Sequence, residues 1–195
     1  MKTDYVIYND QMMYTMESLK ENGLSNYKIN QLVKMGVLSK LNNRFYENMN
    51  YEGEISDFYY AYAYAPDGVI CLLSAAVYYG LSSYRPDAVD IALRRKAKVS
   101  KLPDWPELQI HYFTDYRYEQ GIQTVFEGKN CFKIYDIEKT VADIVYYREK
   151  VGIEETKEIL INYLNRRNRQ LNRLIRYAEL LKCDEVLKNY LEVLV

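Results

Sequence analysis

Residues 14–47, YTMESLKENGLSNYKINQLVKMGVLSKLNNRFYE, decide how the N-terminal part of the chain folds. Thr15 is a typical N-cap residue for a first helix, and Gly23 can adopt the left-handed conformation that ends one. Ser25 follows closely and is suited to cap a second helix. The stretch therefore predicts two helices joined by a tight turn.

The predicted second helix has two different faces. Ile29, Leu32 and Val33 recur at the spacing of one helical face, and Gly36 ends the pattern. The opposite face carries Asn26, Tyr27, Lys28, Asn30, Gln31 and Lys34. Two short apolar runs then flank a polar segment, which predicts a hairpin whose tip holds Lys40, Asn42, Asn43 and Arg44.

These polar side chains suit double-stranded DNA. Asn and Gln can bond adenine edges bidentately, and Lys and Arg can reach guanine or phosphate. A polar helix after a tight turn fits the major groove, and the hairpin would be the wing of a winged helix-turn-helix domain. The predicted DNA-binding residues are Ser25, Asn26, Tyr27, Lys28, Asn30, Gln31, Lys34, Lys40, Asn42, Asn43 and Arg44. The alternative is a solvated helix face followed by a polar turn.

Composition narrows the function classes. The 195 residues carry a formal net charge of −1 and are 49% hydrophobic, which allows one large or two small domains with real cores. Neither a signal peptide nor a membrane-spanning apolar run is evident, so we expect a cytoplasmic protein without membrane contact. His111 is the single histidine and the three cysteines lie far apart, so we expect neither a metal site nor a cofactor. A histidine-based catalytic triad would have to use His111.

The predicted fold class is α+β, with a winged helix-turn-helix domain at residues 1–51 and a mixed domain at residues 52–195. Residues 3–8 form a helix or a strand, and the sequence leaves this open. Ser56 is expected to cap a Tyr-rich helix. The other expected elements are a buried helix at 69–80, a sheet of about four strands within 89–135 and a helical bundle within 136–195, with helices at 136–148, 153–164, 171–181 and 184–194.

Asp136, Glu138 and Asp143 form the one compact acidic cluster to consider for chemistry. Paired carboxylates can bind a divalent metal or act as acid and base. No nucleophile or Gly-rich phosphate loop accompanies them in the sequence, so we assign no catalytic residue. In the alternative interpretation Asp136 caps a helix and the other two pair with surface cations.

Cations gather in two further segments and predict a secondary basic surface. No acidic residue occurs within 161–178, and nucleic acid is the natural partner of such a charge run. Arg169, Arg173 and Arg176 would form one stripe if a helix includes all three. The alternative is again a solvated surface. The predicted surface comprises Arg94, Arg95, Lys96, Arg166, Arg167, Arg169, Arg173 and Arg176.

Several segments, taken in order, resemble the AbiEi family of bacterial antitoxins and transcriptional regulators. They are LKENGLS at 19–25, INQLV at 29–33, RFY at 44–46, LSAAVYYGL at 73–81, IYDIEKTVAD at 134–143 and LIRYA at 174–178. One departure concerns the wing, which usually has a basic-Gly tip in the family and here has Asn42-Asn43 before Arg44. Asn tolerates the left-handed conformation, so the turn is expected to survive with one cation fewer.

The resemblance implies one half of a type IV toxin-antitoxin pair that acts in phage defence by abortive infection. Its partner would be a nucleotidyltransferase toxin. The N-terminal domain would bind inverted repeats in the protein's own promoter, and the C-terminal domain would contribute to neutralising the toxin without a stable complex.

The leading hypothesis is a cytosolic antitoxin that represses its own operon. It expects Lys28, Lys34, Arg44, Arg173 and Arg176 on one side of the molecule, free to contact DNA. Its rivals are a module that neutralises the toxin by direct contact, a stand-alone winged-helix regulator and a metal-dependent enzyme built on the acidic cluster.

Overall fold

The computed structural model describes residues 7–99 and 101–194, which form two compact units. The first unit comprises the described residues of Met1–Asp67, Val99–Pro106 and Thr124–Phe132. The second comprises those of Gly68–Lys98, Glu107–Gln123 and Lys133–Val195. The boundary predicted at residue 51 thus falls inside the first unit. Most of the element expected at residues 3–8 lies outside the described residues.

The first unit begins with a small antiparallel sheet and two helices. The elements are β1 (Met13–Thr15), α1 (Met16–Glu21), α2 (Asn26–Lys34), β2 (Leu38–Lys40) and β3 (Phe45–Asn48), with strand order β1-β3-β2. Both predicted caps are confirmed. The Thr15 hydroxyl accepts from the backbone N–H of Ser18, and the Ser25 hydroxyl accepts from that of Lys28. Gly23 between the helices has φ +82°, a conformation that suits glycine.

The core of the first unit gathers one face of each of these elements. Ile29 and Leu32 of α2 are buried, as their spacing predicts. Burying such a side chain contributes about 1.5–3 kcal/mol. The other buried residues of this cluster are Tyr14, Leu19, Leu24, Leu38 and Tyr46. Because α2 buries only this face fully, its other side chains are exposed or half-buried.

Helix α3 (Asp57–Tyr64) also belongs to the first unit and begins at the predicted cap, Ser56. Its tyrosines are bound by other residues of that unit, which explains why the unit extends past residue 51. Tyr60 donates to the Glu47 carboxylate, and Tyr59 donates to Glu127. Burial, reinforced by these carboxylates, raises the pKa of both tyrosines.

A five-stranded sheet has the order β6-β5-β4-β8-β7. Its strands are β4 (Val69–Ile70), β5 (Val89–Arg94), β6 (Leu108–Phe113), β7 (Ile122–Glu127) and β8 (Asn130–Tyr135), with α4 (Leu72–Tyr78) after β4 and α5 (Asp115–Tyr118) after β6. The prediction of one helix over 69–80 is therefore wrong at its start. The four strands predicted within 89–135 are present as β5, β6, β7 and β8, and β4 joins them as a fifth strand. Ile70 pairs with Ile91 and Ile134, so the strand is defined by partners distant in sequence.

The C-terminal part is helical, as predicted. Its elements are α6 (Ile137–Tyr146), α7 (Arg148–Val151), α8 (Ile153–Leu164), α9 (Leu171–Leu181) and α10 (Asp184–Leu194). The last three match the predicted bounds, whereas the predicted helix over 136–148 breaks at Tyr147. Buried residues of α6, α8 and α9 share one apolar core with β4 and α4. Within residues 7–99 and 101–194, no helix has the length and apolarity to cross a membrane.

Candidate nucleic-acid interface and arginine cavity

The polar face of α2 carries most of the predicted DNA-binding residues in accessible positions. Exposed are Ser25, Asn26, Tyr27, Asn30 and Lys34, while Lys28 and Gln31 are half-buried. Two of them have structural bonds within the face, since Gln31 Nε2 donates to the Tyr27 hydroxyl at 2.9 Å. The side chains of Asn26 and Asn30 bond no other described residue, and Lys34 forms no ion pair with one. They are free to bind an external partner.

The hairpin between β2 and β3 presents two exposed cations, Lys40 and Arg44, and the exposed Asn43. Neither cation forms an ion pair with a described residue, and the Arg44 guanidinium lies 5.6 Å from the ring centre of Phe45. The tip therefore offers positive charge that no neighbouring carboxylate neutralises.

Asn42 has a different role from the one the sequence suggests. Its side-chain oxygen accepts from the backbone N–H groups of Arg44 and Phe45, both at 2.9 Å. Its Nδ2 donates to the carbonyl of Ala63 at 3.0 Å. The side chain is committed to holding the hairpin tip, so it is not available to bind DNA directly.

The acidic cluster formed by Asp136, Glu138 and Asp143 is buried inside the second unit, at the start of α6 and within it. Asp143 lies 2.8 Å from Arg117 and 2.6 Å from Lys139. Burial lowers the pKa of Lys139, and the neighbouring Asp143 acts in the opposite direction. The guanidinium of Arg117 stacks among three aromatic rings, with its carbon 4.0 Å from the ring centre of Phe113. The expectation that Asp143 pairs at the surface is wrong.

The other two carboxylates of the cluster have separate partners. Asp136 caps α6 by accepting from the N–H of Lys139, and it also accepts from Arg173 and from the Tyr177 hydroxyl, each at 2.7 Å. Glu138 accepts from the Tyr163 hydroxyl at 3.2 Å. Asp136 and Asp143 thus serve as structural counter-charges, and the buried Glu138 is held by hydrogen bonds to Tyr163 and Gln170. Among the described residues no group of three or more His, Cys, Asp or Glu side chains is placed to hold a metal ion.

His111 lies beside a carboxylate but has no nucleophile. Its Nε2 is 2.7 Å from Oδ1 of Asp90. Ser74 bonds the same aspartate, accepting from the Asp90 N–H at 2.8 Å and donating to Oδ2 at 3.4 Å. Because the aspartate stands between serine and histidine, the hydroxyl has no contact with the base that a triad would need.

Four C-terminal arginines line one open cavity of about 950 Å³, here called the arginine cavity. Its lining comprises Arg167, Arg169, Arg173, Arg176, Gln120, Gln170, Leu171, Asn172, Tyr177 and Leu180. The condition for a single helical stripe is not met, since α9 begins at Leu171 and Arg169 precedes it. Arg166 lies outside the lining and donates to the carbonyl of Tyr79 at 3.0 Å.

The expectation that Arg173 is free of acidic neighbours is also wrong, because Asp136 reaches it from 37 residues away. The sequence around Arg173 contains no acid, so the partner is visible only once the chain is folded. Arg167, Arg169 and Arg176 are exposed and form no ion pair with any described residue. Three of the four cavity cations thus remain uncompensated.

The other predicted basic segment lines a cavity of about 540 Å³ that includes Arg95 and Lys96, both exposed. Arg94 also lines it but is neutralised, since it lies 2.8 Å from Glu119 and 3.4 Å from Asp115. Hydrogen bonding to Glu119, with Asp115 nearby, raises the pKa of Arg94. Arg95 and Lys96 form no ion pair within the part of the chain that the structure describes.

Sequence reasoning missed the amide and phenol groups that complete the arginine cavity. Gln120, Gln170, Asn172 and Tyr177 come from two segments of the chain and carry no local pattern. The one sequence signal near the cavity was a glycine, Gly121. In the structure a Cβ atom at this position would lie 2.7 Å from Asp136 Oδ2 and 3.0 Å from the Tyr177 hydroxyl. A glycine beside a buried network is typical of such close packing.

No protein-family model matches the chain, and no curated protein matches it either. The resemblance to the AbiEi family therefore remains an expectation from the sequence.

Proposed function

We propose that the protein is a DNA-binding repressor of its own operon, whose first unit acts as a winged helix-turn-helix domain. The observation that carries this proposal is the polar face of α2, where Asn26, Asn30 and Lys34 are exposed and uncommitted. Helix α1, a tight turn, α2 and the β2-β3 hairpin follow one another in the order that this DNA-binding motif uses.

In the proposed complex α2 lies in the major groove of duplex DNA. Asn26 and Asn30 bond adenine edges, for which their amides have matching donors and acceptors. Lys34 reaches a guanine or a phosphate. The hairpin places Lys40 and Arg44 on the flanking backbone or in the minor groove. The near-neutral total charge does not oppose this binding, because the contacting cations lack carboxylate partners among the described residues.

The test is a gel-shift titration of the protein against the promoter region of its own operon. The double variant Asn30→Ala/Lys34→Ala should bind more weakly by about 1–3 kcal/mol for each base that the missing side chain would have bonded. The matched control is Lys101→Ala, which removes an exposed cation of the same unit outside α2 and the hairpin. Operator affinity equal in the double variant and the wild type would remove α2 from the interface.

We further propose that this repressor is the antitoxin of a nucleotidyltransferase toxin encoded beside it. Support comes from the resemblance of residues 19–25, 73–81 and 134–143 to the AbiEi family. Co-expression with the neighbouring gene should restore growth of cells that the toxin alone arrests. Co-purification of both proteins in a fixed ratio would favour neutralisation by direct contact. Growth arrest that persists despite co-expression would leave a stand-alone regulator.

A further inference from the structure

The arginine cavity of the second unit concentrates positive charge that the proposed DNA-binding function of the first unit does not use. None of its lining residues is acidic. Arg173 is neutralised by Asp136, whereas Arg167, Arg169 and Arg176 form no ion pair with residues 7–99 or 101–194. Like charges held around one concave space repel each other, and an anion bound in that space attracts each of them.

The side chain of Arg173, on one wall of the cavity, is held in place by neighbouring groups. Nη2 of Arg173 donates to Asp136 at 2.7 Å and to the Tyr177 hydroxyl at 3.3 Å. Tyr177 donates to the same carboxylate, which is buried. These bonds leave the other nitrogens of the Arg173 guanidinium available. An arginine held in place before binding loses less entropy when it takes up a ligand.

The neighbouring groups also suit an anion. Gln120 and Asn172 add amide donors to the lining. Helix α9 starts at this wall without a side-chain cap and without an acidic residue in its first turn. The Glu138 carboxylate accepts from the N–H of Gln170 at 3.3 Å and offsets part of the positive dipole at this helix end, so the arginines supply most of the positive potential. Guanidinium groups bind phosphate oxygens through two parallel hydrogen bonds, so phosphate is the anion that four arginines match best.

We propose that the arginine cavity binds the polyphosphate chain of a small ligand of the nucleoside triphosphate class. A volume of about 950 Å³ is within the range of small-molecule sites and far exceeds the needs of a single phosphate. A concave site encloses several phosphates of one small molecule, whereas duplex DNA presents its phosphates along a convex surface. The lining residues all belong to the second unit, so ligand binding there and operator binding by α2 can be tested separately.

Isothermal titration calorimetry of the full-length protein with ATP, inorganic tripolyphosphate and adenosine tests the proposal. ATP and tripolyphosphate should bind and adenosine should not. The double variant Arg167→Gln/Arg176→Gln should lose at least about tenfold in affinity, since each arginine supplies charge-assisted hydrogen bonds. Both residues are exposed, so the variant should fold. Arg85→Gln, an exposed arginine of the same unit outside the cavity, should bind as the wild type does.

The outcomes separate the sources of the phosphate chain. Equal affinity for ATP and tripolyphosphate assigns recognition to the chain alone, and tighter binding of ATP adds a contact to the nucleoside. The absence of heat with both ligands overturns the proposal, and so does an equal loss of affinity in Arg85→Gln and the double variant. A duplex oligonucleotide that loses affinity in the double variant, with ATP binding unchanged, would make the cavity a DNA surface and also overturn it.

Discussion

Helices α2 and α6 both carry runs of polar and charged residues, and the fold uses them in opposite ways. On α2, Asn30 and Lys34 are exposed and bind no other part of the protein that the structure describes. On α6, Lys139 and Asp143 are completely buried and pair with each other. The density of charge in a sequence therefore does not distinguish an exposed polar surface from an internal network.

The number of packed faces explains the difference. Helix α2 buries one stripe of side chains, so a polar residue outside that stripe stays hydrated. Helix α6 is buried along most of its length, with eight of its ten residues enclosed. A charge in such a helix is tolerated only with a partner, because an unpaired buried charge is strongly destabilising. We therefore expect substitutions on α6 to change stability and substitutions on α2 to change binding.

The largest effect is expected for Asp143→Asn. The substitution leaves the cations of Arg117 and Lys139 buried without their counter-charge, which should lower the free energy of unfolding by about 3–5 kcal/mol. Urea denaturation followed by circular dichroism measures it. The matched control, Asp87→Asn, removes an exposed carboxylate of the same unit and should stay within about 0.5 kcal/mol of the wild type.

A stable Asp143→Asn protein would break the comparison, since α6 would then carry charge without structural need. If such a protein also lost a metal-dependent activity of the wild type, the acidic cluster would be an active site. That pair of results would favour the enzymatic hypothesis over the structural interpretation.

An intermediate effect is expected at the hairpin, where two adjacent asparagines should differ in their contribution to stability. Asn42→Ala removes the acceptor for the N–H groups of Arg44 and Phe45 and the donor to Ala63, and should destabilise the protein by about 1–3 kcal/mol. Asn43→Ala should leave thermal unfolding unchanged because its side chain is exposed and makes no bond to a described residue. Unfolding temperatures of the two variants decide the point, and equal losses would show that the tip is held differently.

The local features of the fold are predictable because their causes lie within a few residues. Thr15, Ser25 and Ser56 each cap a helix that begins at the next residue, so residue type alone indicates the cap. The apolar spacing of Ile29 and Leu32 likewise identifies the buried face of α2. The polar face follows by exclusion, which is why most of its residues have the exposure that the sequence predicts.

The features that sequence reasoning missed depend on contacts between distant segments. The two-residue strand β4 has too few residues for a periodic pattern, and its pairing with Ile134 supplies the missing information. Arg173 stands in a segment without acids, yet Asp136 neutralises it. Gln120 is likewise distant in sequence from the C-terminal arginines, yet it lines the same cavity.

The smallest effect on stability, and the sharpest contrast with Asp143, is expected for Lys34→Ala. Its side chain is exposed near the end of α2 and forms no ion pair with a described residue, so the free energy of unfolding should change by less than about 0.5 kcal/mol. The same variant should bind the operator more weakly, because α2 would carry one cation fewer into the major groove. Urea denaturation and gel-shift titration of one preparation compare the two quantities directly. A loss of stability that matches the loss of binding would mean that Lys34 supports the fold. Polar residues of α2 would then be structural, as those of α6 are.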